Sequence, residues 1–217
     1  MATLLTAAAL RMERILCLGA HCDDIEIGCG GTLLKLLEAN PGAHVDWIVF
    51  SSTERREAEA RAGAARFLEQ AGSANVVTRS FRERYFPYVG AEIKEYFDEL
   101  GATMRPDLVF THFRDDLHQD HVLLAELALN TFRNHLILEY EIPKWDGDLG
   151  RPSVFVQLEQ RHVDAKVDAI WDAYESQRDK HWFTKETFFA TLRLRGVECK
   201  APSGYAEAFH CRKLVLG

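Results

Sequence analysis

Two short clusters in this chain hold side chains that bind metals and move protons: His21-Cys22-Asp23-Asp24 and, far downstream, His118-Gln119-Asp120-His121. Two imidazoles and one carboxylate suit a catalytic divalent ion, because they leave a position open for water or substrate. Such an ion lowers the pKa of its water to about 7, so hydroxide is available at neutral pH. The reaction also needs a base beside that water and an acid for the leaving group. His21, Asp23, Asp24, His118, Asp120 and His121 are enough for every role. Taken alone, a histidine at a strand end is more often packed structurally, and adjacent aspartates often cap a helix or line a solvated turn. Asp115-Asp116 fits that second description. Two clusters, each just past an apolar run, point instead to one shared site.

Those apolar runs are Ile15–Gly19 and Leu108–Phe110, both read as buried strands. In an open α/β sheet, residues just past the carboxyl ends of parallel strands converge on one crevice. The rest of the chain supports such a sheet. Strand signals recur at Val45–Phe50, Asn75–Thr78, Asp107–Thr111, Leu136–Ile142 and Val154–Leu158, with a last one inside Ala206–Leu216. Between them lie helical patterns at Gly30–Leu37, Glu54–Glu69, Ala91–Leu100, His121–Asn134, Val163–Tyr174 and Lys185–Arg193. Pro143–Pro152 reads as a loop. Alternation at this spacing predicts a Rossmann-like α/β fold, a mostly parallel sheet with helices on both faces. No repeat or low-complexity linker divides the 217 residues, so one domain is expected over 1–217.

Gly19-Ala20-His21-Cys22-Asp23-Asp24-Ile25-Glu26 resembles the Ala-His-Pro-Asp-Asp-x-Glu signature of the LmbE-like, or PIG-L, zinc-dependent N-deacetylases. His118-Gln119-Asp120-His121 resembles that family's second motif, His-x-Asp-His. The glycine-rich Gly28-Cys29-Gly30-Gly31 and Arg56-x-x-Glu59 also match in place, and the likeness runs from Ile15 to Leu216. The resemblance implies that His21, Asp24 and His121 hold zinc and that Asp23 is the general base. It implies that His118 stabilises the oxyanion or protonates the departing amine, while Asp120 orients a neighbouring imidazole. Arg56 would bind substrate hydroxyls or a phosphate. The substrate would be an N-acetylglucosamine-type sugar or conjugate, releasing acetate and a free amine, and a homo-oligomer is implied without a number. Iron or another divalent ion also suits a two-His, one-carboxylate set. Cys22 stands where the signature has proline; in an extended backbone its thiol points away from His21 and Asp23, which makes it structural.

Other residues carry weaker signals. Glu26 is expected behind the ligands or at the helix start. His112 and Arg114 lie where they would touch substrate, or pack at the strand end. Trp145, Asp146 and Asp148 would wall a pocket, as would the segment Ser176–Trp182, and Glu207 would be structural or pocket-lining.

Composition narrows the alternatives. A net charge of -7 argues against a broad basic surface for nucleic acid. Five cysteines without CxxC spacing are neither a disulfide framework nor a thiolate zinc site, and they fit a cytoplasmic protein. Met1–Leu10 lacks the basic start of a signal peptide, and no run of 18 apolar residues is present to span a membrane. A GxGxxG phase from Gly28 fails at Leu33, and no Gly-x-Ser-x-Gly occurs. Remaining alternatives are an amidase for a larger conjugate, a phosphoesterase with the same ligands, and a metal-free binding protein.

Overall fold

In the computed structural model, which describes residues 11–215, seven strands form one sheet in the order β3-β2-β1-β4-β5-β7-β6. The N-terminal segment, read above as unlike a signal peptide, lies outside the described residues, as does the end of the last expected strand. The strands are β1 Arg14–Gly19, β2 His44–Val49, β3 Ser73–Thr78, β4 Leu108–His112, β5 Leu136–Tyr140, β6 Val154–Leu158 and β7 Tyr205–His210. Five of them, β3 to β5 across the sheet, are mutually parallel. β7 inserts antiparallel between β5 and β6, joined to β5 only through Glu139–His210 and Tyr140–Phe209. The sheet is thus mostly parallel, as the alternating pattern predicts.

The central strands β1 and β4 carry unbroken apolar runs, Ile15–Gly19 and Leu108–Phe110, because both faces of the sheet are covered there. Ile15, Cys17, Val45, Trp47 and Phe110 join one core, beneath α1 (Asp24–Ala39), α2 (Glu54–Phe67), α5 (Gln160–Ala173) and α6 (Lys185–Glu198). Their neighbours Leu16, Leu18, Ile48, Phe50 and Val109 point the other way, into a second core beneath α3 (Gly90–Thr103) and α4 (Gln119–Thr131).

The start of α1 corrects the sequence reading. The helix opens at Asp24, directly after the first cluster, and not at Gly30. Glycines 28, 30 and 31 are helix interior, required by close packing. A Cβ at Gly28 would lie 2.2 Å from the Tyr140 ring, one at Gly30 2.5 Å from Phe67, and one at Gly31 2.6 Å from Leu158. Gly28→Ala should therefore destabilise the protein by about 1–3 kcal/mol, the usual cost of overpacking a close-packed interior. A lowered urea midpoint checks this; an unchanged midpoint would show that Tyr140 moves freely.

This topology sets the location of the site. Strand order reverses between β1 and β4, and a doubly wound sheet has its crevice outside the carboxyl ends of the strands at that switch. Both clusters of interest leave the sheet there.

Candidate active site

β1 ends at Gly19, and two residues later the His21 amide donates to Asp24 Oδ2 at 2.6 Å, closing the turn into α1. β4 ends at His112, and α4 begins after His118, whose Nδ1 accepts the Asp120 amide at 3.2 Å as a helix cap. One turn further, His121 faces back toward the β1 turn. The result is a tight triangle: His21 Nδ1 to Asp24 Oδ2 is 3.3 Å, His121 Nε2 to Asp24 Oδ2 is 3.6 Å, and His121 Nε2 to His21 Nδ1 is 3.2 Å. His118 stands beside it, ring centroid 4.9 Å from that of His21 and 4.5 Å from that of His121. The structure thus gathers His21, Asp24, His118, Asp120 and His121 at the triangle, while Asp23 lines the same cavity and turns its carboxylate to Arg56. Side chains of His21, His118 and His121, and of Asp24, His112 and His121, each group closely enough to share a metal ion.

Electrostatics at the triangle favour positive charge. Burial opposes protonation of His21, yet Asp24 and the hydrogen bond to Asp120 overcome it and raise its pKa to about 10. Burial would raise the Asp24 carboxyl, but His121, His112 and His21 hold it well below the usual carboxylate range. His121, buried and flanked by other imidazoles, is pushed down to about 3. Burial and the nearby His21 also lower His118, which favours its neutral form.

Each ring is fixed by a partner on its far side. His21 Nε2 meets Asp120 Oδ2 at 3.2 Å, and His121 Nδ1 meets Asp116 Oδ2 at 3.0 Å. Orientation of an imidazole by a carboxylate sets which nitrogen carries the proton and leaves the other lone pair free. Besides meeting His21, the Asp120 oxygens accept the amides of Arg84 at 2.6 Å and Phe86 at 3.1 Å. His112, the other strand-end histidine, is fully buried. Its Nε2 accepts the Ala20 amide at 2.9 Å, lies 3.2 Å from Asp24 Oδ2, and its ring stacks on His121 with centroids 3.9 Å apart. It packs under the triangle; it does not line the cavity.

Asp116 is the residue that sequence reasoning missed. Read as half of a solvated turn, it is 4% exposed and takes three partners: His121 Nδ1, the His118 amide at 2.7 Å and Lys144 Nζ at 2.8 Å. Burial would raise its pKa, but His121 and Lys144 pull it down, so it stays ionised. The available signal was its position two residues before His118 and five before His121. Asp116→Asn should weaken divalent-ion affinity by about 10–100-fold, the range for partners that orient metal-ligating histidines. Competition against a chromogenic chelator measures this; wild-type affinity would mean that His121 needs no such anchor.

Arg56 reaches from α2 to Asp23, Nη2 to Oδ1 3.1 Å, and also touches Glu59 Oε2 and Ser176 Oγ, each at 3.2 Å. It lines the cavity while holding Asp23. Glu26 lies in the first turn of α1, fully buried, bonded to the Tyr174 hydroxyl, and its carboxyl is raised well above normal by burial. Cys22 Sγ turns to the Ser51 carbonyl, and burial pushes its thiol up to about 12, unlike a ligand thiolate. Trp145 and Asp146 do wall the cavity, whereas Asp148 ties Lys144 and the Leu117 amide together behind it. Arg114 instead pairs with the buried Glu139, and Glu207 is structural, accepting the Gly31 and Thr32 amides and pairing with Lys166. The cavity over the triangle measures about 660 Å³.

The stretch of sequence that carries this histidine–carboxylate triangle is matched by a family profile. The profile described as PIG-L, GlcNAc-PI de-N-acetylase, matches residues 16–132, more than half of the chain. The chain belongs to the PIG-L family. PIG-L proteins are deacetylases of acetylated sugars or their conjugates, and they generally depend on a divalent metal. A protein of Escherichia coli K12 described as the uncharacterized deacetylase YaiS is 26% identical over 181 residues, 76% of this chain and 93% of its own. N,N'-diacetylchitobiose deacetylase from Pyrococcus horikoshii shares the fold with a TM-score of 0.68 and 20% identity, covering 92% of this chain and 84% of that one. GalB, the 4-carboxy-2-hydroxymuconate hydratase from Pseudomonas putida KT2440, shares it too, with a TM-score of 0.70 and 19% identity over 95% and 98% of the two chains. At these identities the structural likeness concerns the fold, which hosts more than one reaction, so chemistry must be argued from the PIG-L site residues.

Proposed function

We infer that this PIG-L protein is a divalent-metal-dependent N-deacetylase of N-acetylglucosamine-type sugars or conjugates, with zinc as the metal. The observation that carries this reading is the triangle of His21 Nδ1, Asp24 Oδ2 and His121 Nε2, with separations of 3.3, 3.6 and 3.2 Å. Ligands about 2.0–2.1 Å from a tetrahedral zinc stand roughly 3.3 Å apart, so the donor set fits. Tautomers select the same three atoms over the other groupings. His112 Nε2 is committed to the Ala20 amide, and His118 Nδ1 to the Asp120 amide. The far nitrogens of His21 and His121 are tied to carboxylates, which leaves His121 Nε2, and His21 Nδ1 once its proton is displaced, as the donor atoms beside Asp24.

A divalent ion held there supplies Lewis-acid polarisation of the acyl carbonyl and acidifies water. The chain's own groups do the rest. Asp23, steadied by Arg56 at one oxygen, takes the proton from the attacking water and passes it to the amide nitrogen as the C–N bond breaks and the amine leaves. His118, neutral and accepting at Nδ1, carries its proton on Nε2 and donates it as a hydrogen bond to the developing oxyanion. Asp120 and Asp116 hold His21 and His121 in register. Arg56 lies within reach of a sugar hydroxyl while it holds Asp23.

Among the described residues all five cysteines are free and no helix is long and apolar enough to cross a membrane, which supports a reducing, cytoplasmic setting. Incubation with N-acetylglucosamine glycosides should release acetate and free amine in equal amounts, and chelation should stop it. Metal-loaded protein that releases acetate from no such glycoside would sink the reading and favour another water-adding reaction on this fold.

A further inference from the structure

The deacetylase reading leaves open what the sugar carries, and the outer wall of the cavity bears on that. We propose that the substrate is an N-acylated sugar bearing an anionic group, phosphate or carboxylate, seated at the cavity mouth by Arg82, Arg84 and Lys180. The inference rests on the deacetylase reading and adds a charge to its substrate.

The whole chain carries -7, yet three cations gather on this wall and face only two carboxylates, Glu83 and Asp146. Deeper in, the cations are already matched: Arg56 by Asp23 and Glu59, Lys144 by Asp116 and Asp148. At the mouth they are not. Arg84 has only Glu83, at 3.8 Å, and among the described residues Arg82 and Lys180 have no carboxylate within ion-pair distance. Both sit against aromatic faces instead, Arg82 at 3.6 Å from the Tyr85 ring centroid and Lys180 at 5.6 Å from that of Trp182. A cation so placed keeps its charge available to a ligand while its position is defined.

Arg84 shows that this wall is built. Its φ is +67°, in the left-handed region that residues other than glycine, asparagine and aspartate rarely hold. Residues kept in such conformations concentrate at functional sites, because the surrounding structure must over-determine them. Here it does: the Arg84 amide donates to Asp120 Oδ2, the Gln119 side chain donates to the Arg84 carbonyl, and the Phe86 amide donates to Asp120 Oδ1. Asp120 also holds His21 Nε2. One carboxylate therefore fixes both a histidine of the triangle and the arginine loop, which sets the distance between the reacting acyl group and an anion-binding rim. With Trp145 and Trp182 on the same cavity wall, the space suits a sugar ring flanked by aromatic faces and ending in a charged group.

The test compares kcat/KM for acetate release from N-acetylglucosamine 1-phosphate and from methyl N-acetylglucosaminide, a neutral glycoside, using the metal-loaded protein. The phosphate should be preferred by roughly tenfold at low salt, the combined effect of three partly exposed ion pairs. The preference should shrink as ionic strength rises and the Debye length falls to about 8 Å. Two variants then probe the rim: Arg82→Gln combined with Lys180→Gln, and Arg84→Asn, which keeps a residue that tolerates the left-handed backbone. Each should pull the ratio of the two kcat/KM values toward one and flatten its salt dependence. A purely structural role would lower both values together and leave the ratio alone. Equal values for the two substrates in the wild type, or a preference that survives both variants, would overturn the proposal. Acetate from neither substrate would overturn the deacetylase reading and this inference together, whereas acetate without preference removes only the inference.

Discussion

Asp23→Asn should bind its metal normally and lose about 10²–10⁴-fold in turnover, the usual contribution of a positioned general base. The two aspartates are adjacent in sequence but have different partners. Asp24 lies inside the imidazole cluster, with Oδ2 within 3.6 Å of three histidine side chains. Asp23 is the cap residue of α1 with no capping bond of its own, and its carboxylate meets Arg56 at 3.1 Å on the cavity side. Replacing it with asparagine keeps the size and removes the proton-accepting capacity. Arg56 retains Glu59 and Ser176, so the pocket should keep its shape. Metal content by elemental analysis, together with kcat, separates the two roles. A variant within a few-fold of wild-type kcat would mean that the base lies elsewhere.

His121→Ala should have the opposite signature, a protein that folds but releases its metal. Structural zinc sites with four ligands carry about 10–16 kcal/mol of binding free energy, so one ligand's share corresponds to roughly 10²–10³-fold in affinity. His121 contributes more than its own lone pair. Its ring stacks on His112 and closes the triangle toward both His21 and Asp24. Its removal also leaves Asp116 with Lys144 as its remaining charged partner. Equilibrium dialysis against a zinc buffer gives the affinity directly, and full occupancy in the variant would refute the ligand assignment.

Much of this architecture is legible in the chain because of how burial writes itself into residue order. β1 and β4 are covered on both faces, so they carry short unbroken apolar runs, and in β2 the run from Val45 is interrupted by Asp46. The crevice rule then places His21 and His118–His121 together. Other features are written in tertiary contacts and leave no local mark. Gly28, Gly30 and Gly31 look like a loop until Tyr140, Phe67 and Leu158 are packed against them. The antiparallel insertion of β7 depends on two residue pairs with β5. Asp116 looks like any aspartate in a turn; its importance comes from Lys144, 28 residues away, and from the ring of His121. The arginine loop enters the cavity because Asp120 draws in amides 36 and 34 residues distant. Motif residues were readable, whereas the groups that hold them were not.

The most direct test of the metal assignment is calorimetric titration of metal-stripped protein with zinc near pH 7, in two buffers of different ionisation enthalpy. His21 is raised to about 10 by Asp24 and Asp120, so it is protonated at neutral pH, and a bound cation must displace that proton. The expected result is one zinc per chain, about one proton released, and an apparent affinity that rises with pH through the neutral range. Absence of saturable binding, or binding with no proton release and no pH dependence, would contradict it.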